Sequence, residues 1–286
     1  MLYLCIMDEF RLIKESISDY KHIDLGNIKL AFTQVCKEEL FTDVYFAANS
    51  LYYVESGSAL LISMDEKVTA KKGEVILIKQ HSKLNIQKFK DKSGKDFKSI
   101  IFYLFPDFVT EFVRLVKEKK PQPDSVAHNI IHLGKPPLLT DFCESLLPLF
   151  GRKQLDNSEI KQRTFIALNH LSQYNSELLS FLSQNSKPVK IDLYEFMIHI
   201  AVYNYSVNEL ARLTGRSISA FKRDFQAVFD TTPHQWLLGK KIDYAEYLLK
   251  EKKMKASDFY FMIGFNELSH FSSAFKKAKG ISPSQL

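Results

Sequence analysis

Five short apolar runs lie between Val44 and Leu104: LYYVES, ALLISM, EVILIK, LNIQKF and SIIFYL. Each is rich in Val, Ile, Leu, Tyr or Phe, as strands are. Turn-forming stretches separate them: Glu55-Ser56-Gly57-Ser58, Met64-Asp65-Glu66, Lys71-Lys72-Gly73-Glu74 and the polar KDKSGKD. Short strands at about ten-residue spacing predict a sandwich or jelly-roll barrel. The first forty residues are not placed beyond candidate edge strands. From Pro106 the apolar period changes to that of a helix. PDFVTEFVRLVKEK sets Phe108, Phe112, Leu115 and Val116 on one face, and KKPQPDS breaks it. LLTDFCESLLPLF and EIKQRTFIALNHLSQY predict two more helices, the second with a stripe of Ile160, Phe165, Leu168 and Leu171. The polar stretch Ser183–Lys190 is the candidate linker. The expected division is a β domain over 1–125, a helical segment and linker over 126–186, and an all-α domain over 187–286.

The last hundred residues contain a repeat. FKRDFQAVFDTTPHQ and FSSAFKKAKGISPSQ both read F-x3-F-x7-P-x-Q, offset by fifty residues. Phe221, Phe225 and Pro233 match Phe271, Phe275 and Pro283; Gly215 and Gly264 stand just upstream. This is a duplicated supersecondary unit. In the first copy SVNELARLTG predicts a helix opened by a Ser206–Glu209 capping box, with Leu210 and Leu213 buried, closed at Gly215. Ser217 is the expected cap of a second helix whose buried stripe is Phe221, Phe225 and Phe229. In the second copy SDFYFMIGF is the first helix and Asn266 the expected cap of the next, ELSHFSSAFKK. Thr232-Pro233-x-Gln235 predicts a capping box opening a helix between the copies, with Leu238, Ile242, Ala245 and Leu249 on one side. About 17 residues of helix span roughly 26 Å, long enough to set two helix-turn-helix units near one DNA turn apart, ~34 Å.

Charge sharpens this reading. Residues 187–286 hold 15 Lys and Arg against 10 Asp and Glu, while the other 186 residues hold 24 against 23. The basic excess therefore sits on the duplicated region and points to a polyanion partner. In each second helix the phenylalanines face the core. The opposite side carries Ser219, Lys222 and Arg223 in the first copy, and Ser269, His270 and Ser273 in the second. Short polar side chains fit base edges in a major groove. Lys276 and Lys277, near the far end, suit phosphates.

Catalytic and metal chemistry finds little support. His128 and His132 stand four apart in HNIIH without a carboxylate or thiol at ligand spacing, and His81 is alone in the β region, so no metal is expected. No G-x-x-x-x-G-K phosphate loop is present. The expectation is a non-enzyme without a cofactor. Cys5, Cys36 and Cys143 are odd in number and far apart, which fits reduced thiols in a cytoplasmic protein. No apolar run reaches the ~18–20 residues of a membrane helix, and the start lacks the marks of a signal peptide.

DFYFMIGFNELSHFSSAFKKAKGISPSQ resembles the signature of the AraC/XylS family of bacterial transcription regulators across its second helix-turn-helix. LARLTGRSISAFKRDF resembles the first unit and TTPHQWLLGKKIDYAEYLL the linking helix; the likeness covers about Leu193 to Leu286. YYVESGSALLI and KKGEVILIK resemble strand pairs of the cupin-like regulatory domain common in that family. The resemblance implies an α+β multidomain chain: a cupin-like jelly-roll barrel with following helices, then two helix-turn-helix units joined by a long helix. It implies a framework of Ala211, Gly215, Phe221, Phe225, Pro233, Gly264, Phe265, Phe271, Phe275, Gly280 and Pro283. It implies DNA contacts at Ser217, Ser219, Lys222 and Arg223, and at Asn266, Ser269, His270 and Ser273. Tyr260 replaces the family's usual small residue, which demands repacking or a tilted helix. Ser273 stands where a larger polar group is common. Both shift the second unit towards backbone contact. Implied partners are double-stranded DNA, RNA polymerase, a small-molecule or protein effector at an unknown site, and a second copy of the chain through helices between about Leu138 and Leu182. The competing readings are a small-molecule-binding or catalytic cupin with an incidental basic tail, and a regulator controlled by a protein docked on the barrel.

Overall fold

The computed structural model describes residues 17–116, 128–150, 156–184, 190–200, 205–251, 253–261 and 263–286. The chain forms two compact units, one within Asp8–Val189 and one from Lys190 to Leu286. Their boundary falls inside the polar stretch Ser183–Lys190. Cys5 and the break at 119–125 lie outside the described residues.

The first unit is built on two antiparallel sheets. Its strands are β1 (Ile17–Asp24), β2 (Ile28–Val35), β3 (Glu39–Phe46), β4 (Asn49–Ser56), β5 (Ser58–Ile62), β6 (Lys67–Lys71), β7 (Val75–Ile78), β8 (Ser82–Phe89), β9 (Phe97–Leu104) and β10 (Ile130–Gly134). One sheet has the order β1-β2-β9-β4-β7-β10, the other β3-β8-β5-β6. Alternation along β4 splits the side chains between two cores. Tyr52 and Val54 join Phe41, Leu61, Ile86 and Phe97 between the sheets. Leu51 and Tyr53 join Phe102 and Phe142 beneath the helices. Both faces of the larger sheet are thus covered, which is why LYYV and SIIFYL are apolar without interruption.

Helices α1 (Pro106–Leu115), α2 (Pro137–Leu146), α3 (Asn157–Tyr174) and α4 (Ser176–Gln184) cover the outer face. Pro106, Phe108, Val109, Phe112 and Val113 are the buried positions of α1, whereas Leu115 is 55% exposed. Of the predicted stripe only Leu115 faces away; Val116, just past the helix, packs partly buried against the same core. The described residues of the 126–186 segment pack with the strands: β10 pairs with β7, and Leu139, Phe142, Leu168 and Phe181 share the core of the sheet. His128 and His132 lie at this strand, not on a helix. His128 Nδ1 is 2.6 Å from Glu66 Oε1 and His132 Nε2 is 3.1 Å from Glu74 Oε2. Among the described residues no group of three or more His, Cys, Asp or Glu could hold a metal. None of the described helices is long and apolar enough to cross a membrane.

The second unit is all-helical: α5 (Leu193–Ile200), α6 (Val207–Leu213), α7 (Ile218–Phe229), α8 (Pro233–Lys250), α9 (Ala256–Phe259) and α10 (Leu268–Lys279), closed by a 3-10 turn at Pro283–Gln285.

Candidate nucleic-acid interface

The sequence repeat is a repeat of hydrogen bonds. In the first copy the N–H of Gly215 donates to Arg212 O and that of Arg216 to Ala211 O. In the second, Gly264 N–H donates to Phe261 O and Phe265 N–H to Tyr260 O. Each is the paired closure of a helix through a left-handed glycine, with φ of 65° at Gly215 and 86° at Gly264. The next helices, α7 and α10, are both 12 residues long and begin fifty residues apart. Phe221, Phe225, Phe271 and Phe275 are all fully buried. The ring pairs repeat too, at 5.6 Å for Phe221–Phe225 and 5.7 Å for Phe271–Phe275. Asp230 and Gly280, both left-handed, end the two helices. Pro233 then opens α8, and Pro283 opens the final 3-10 turn.

Between the copies, α8 has 18 residues, roughly 27 Å at about 1.5 Å per residue. Ile242, Ala245 and Leu249 are buried as the pattern required, and Tyr244 and Leu248 join them; Leu238 is only half-buried. Its cap is half a box: Thr232 Oγ1 accepts from Gln235 N–H at 3.3 Å but donates its own hydroxyl to the Gln235 side chain. The Ser206–Glu209 box is complete.

Three expectations for the second copy are corrected. Its first helix is regular only over Ala256–Phe259, against Val207–Leu213 in the first copy. Asn266 does not cap α10. The glycine closure and a bend at Asn266 carry the chain one residue further, so the cap position falls on Glu267, whose side chain bonds no backbone N–H of the helix. Tyr260 is half-buried where Ala211 is 1% exposed, so the large ring is accommodated by partial exposure.

The exposed faces of α7 and α10 hold the residues expected to meet DNA. Ser219, Lys222 and Arg223 are exposed on α7. Ser217 is exposed, but its Oγ accepts from Ala220 N–H at 3.2 Å, which leaves its hydroxyl hydrogen and one lone pair for a partner. In the second copy Asn266, Ser269, His270, Ser273, Lys276 and Lys277 are all exposed. Lys279 of the same basic cluster is not: its ammonium is 2.8 Å from Asp243 and 2.6 Å from Glu246 on α8. Burial pulls that ammonium's pKa down, yet the two carboxylates outweigh it and hold it above the ordinary value.

Sequence reasoning missed the polar network behind α7. Arg216, with a side chain only 7% exposed, donates from Nε to Asp224 at 3.1 Å and to the carbonyls of Thr214 and Ile191. Lys190 and Arg223 also approach Asp224, at 3.4 and 3.3 Å. Arg216 foremost, then Lys190, holds the Asp224 carboxyl below the usual carboxylate range. Nothing in the local spelling of RSISAFKRD distinguishes a clamping arginine from a surface one. Sequence reasoning also passed over Ile218 and Leu268, the first residues of the two helices, which are 44% and 39% exposed.

Comparison with known proteins agrees with this architecture. Residues 210–286 match the family described as helix-turn-helix domain, and residues 49–181 the family described as ExsA N-terminal regulatory domain. The chain is 24% identical over 240 residues to the HTH-type transcriptional regulator ExsA of Pseudomonas aeruginosa, covering 82% of this chain and 84% of that one. It is 23% identical over 180 residues to the virulence regulon transcriptional activator VirF of Yersinia enterocolitica, covering 62% of this chain and 66% of VirF, just under two thirds of its length. Among solved structures, an apo ToxT variant from Vibrio cholerae aligns with a TM-score of 0.46 at 14% identity, over 91% of this chain and 96% of that chain. These relatives are regulators and not enzymes. The chain thus pairs a stretch similar to the ExsA N-terminal regulatory domain with a duplicated helix-turn-helix domain of the AraC type.

Proposed function

We propose that the protein is a sequence-specific DNA-binding regulator of transcription that acts in the bacterial cytoplasm. The observation that carries this reading is the duplicated exposed face. Two helices of equal length, anchored by equivalent phenylalanine pairs, present short polar and basic side chains on opposite ends of an 18-residue helix. Each recognition helix enters a major groove with its N-terminal residues at base edges. Ser219 and Arg223 read bases in one half-site, and Ser269 and His270 in the other. Lys222, Lys276 and Lys277 neutralise phosphates, which makes affinity fall steeply with salt. Ser217, Asn266 and Ser273 complete the two contact faces.

The first unit carries the regulatory input, and its effector shifts the balance between DNA-binding arrangements. Promoter occupancy is then converted into contact with RNA polymerase. We place self-association on the helices over Leu138–Leu182. Most of their apolar residues are buried in the core, while Leu138 and Ile166 stay 39% and 58% exposed. Sedimentation of wild type against Ile166→Asp tests this surface, and an unchanged mass overturns it.

The deciding experiment is selection of bound genomic fragments by the full-length protein, repeated with Arg223→Ala and His270→Ala. The expected result is a motif of two half-elements about one turn apart, each variant relaxing a different half. Binding that depends on salt but selects no motif overturns the reading. Bound metal in the purified protein would revive the cupin-enzyme reading.

A further inference from the structure

The cap positions of the two recognition helices differ in a way that bears on sequence choice. At the first, Ser217 caps the helix, its Oγ accepting from Ala220 N–H at 3.2 Å. At the second, fifty residues on, stands Glu267. Its carboxylate makes no bond to a backbone N–H of α10. Its side chain is 65% exposed. It accepts from Ser269 Oγ at 3.2 Å and lies 3.8 Å from His270 Nε2. A carboxylate on a face that approaches phosphates is repelled by every one of them. It also meets acceptors at guanine N7 and O6 and at thymine O4. The cytosine amino group offers it a donor with no acceptor beside it on the same base. The neighbouring Leu268 is an exposed apolar group at the first helical position, suited to a thymine methyl.

We propose that Glu267 is a specificity-determining residue of the second helix-turn-helix. Its carboxylate accepts from a cytosine N4 amino group in the major groove, and Ser269 and His270 hold it in place. The inference rests on the DNA-reading function proposed above. It also revises the expectation that the second unit chiefly grips the backbone, because a group that repels phosphate is stabilised on this face only at a base edge.

Random-sequence selection with full-length wild type, Glu267→Ala and Glu267→Gln tests this. Wild type should select cytosine at one position of the second half-element, by roughly ten-fold over the other bases. Glu267→Ala should lose that preference while binding unrelated DNA more tightly, since a repulsive charge is gone. Glu267→Gln should move the preference towards adenine, whose N6 and N7 suit a side-chain amide. A residue that only stabilises the helix would not exchange one base for another. A wild-type motif kept unchanged by both variants overturns the inference and leaves the DNA-reading function intact. A wild-type protein that selects no motif overturns both. The residue is exposed, so both variants are expected to fold, and unchanged thermal melts verify that.

Discussion

Phe225→Ala should remove a large part of the stability of the second unit. Phe225 is fully buried. Its ring lies 5.6 Å from Phe221, 4.5 Å from Phe229 and 5.8 Å from Trp236. Truncating a buried phenylalanine costs about 3–5 kcal/mol, and the cost grows when neighbours cannot collapse into the space. Here the neighbours are three rings held by two helices and a cap, so the upper half of that range applies. A unit of this size has about 5–15 kcal/mol in all. The chain has one tryptophan, Trp236, and its ring also packs tilted against Phe229 at 5.1 Å. Its fluorescence therefore reports on the core being cut. With a urea dependence of about 1–3 kcal/mol per molar, the midpoint followed at Trp236 should fall by more than about 1 M. Phe225→Leu, which keeps most of the volume, should fall by clearly less. A Phe225→Ala midpoint within about 0.3 M of wild type would refute the claim that this stripe is the core of the first helix-turn-helix.

Three further outcomes are expected. His81 is pushed down to about 4 by burial and bonds the Tyr45 hydroxyl at 2.8 Å; it is neutral in the fold, and the unfolded chain takes up the proton from about pH 6.5 downwards. Its contribution is therefore full above about pH 6.5 and is lost as pH falls towards 4, about 2 kcal/mol over that window. Melts of the full chain should show this slope, and His81→Asn, which tolerates the same left-handed backbone, should flatten it. Gly57→Ala would place a Cβ 2.2 Å from Phe89 O at φ +79°, whereas Gly94→Ala at φ +80° meets nothing within 4 Å. The second should cost about 1–2 kcal/mol in a thermal melt, and the first several-fold more, or all soluble protein. Lys276→Ala and Lys277→Ala should each reduce the slope of log affinity against log salt by roughly one without changing the selected motif; an altered motif would mean that these lysines read bases.

Strands were legible from the chain in two ways: β5 and β8 bury alternate positions between apolar runs and turn residues, and the continuous apolar runs belong to strands buried on both sides. β4, β7 and β9 are sandwiched between the smaller sheet and the helices, and their apolar runs have no other explanation. β6 was invisible because it is an edge strand: KVTAK buries only Ala70, and a lysine-rich edge looks like a loop. β10 was hidden for a related reason. Its two isoleucines are flanked by histidines, and only the pairing with β7 and the carboxylates of Glu66 and Glu74 makes a strand of them. The recognition face was legible because duplication doubles every signal. A phenylalanine pair is ordinary once; repeated at fifty residues with its glycine and proline it defines a unit.

What the amino-acid sequence determined alone was the set of local constraints. The left-handed glycines, the caps at Ser206 and Ser217, the prolines that open helices and the i, i+4 phenylalanines each act within a few residues, so their spelling suffices. The tertiary structure decided which charged side chains stay free to meet a partner. Arg216 and Arg223 are both arginines beside one aspartate, yet the first is clamped to Asp224 and Ile191 and the second is 76% exposed. Lys277 and Lys279 sit in one basic cluster, yet Lys279 is locked to Asp243 and Glu246, thirty-odd residues earlier. The same holds for Glu267, whose meaning comes from the helix it fails to cap. Electrostatic partners are chosen by packing across elements, and that choice is not written in any short stretch of chain.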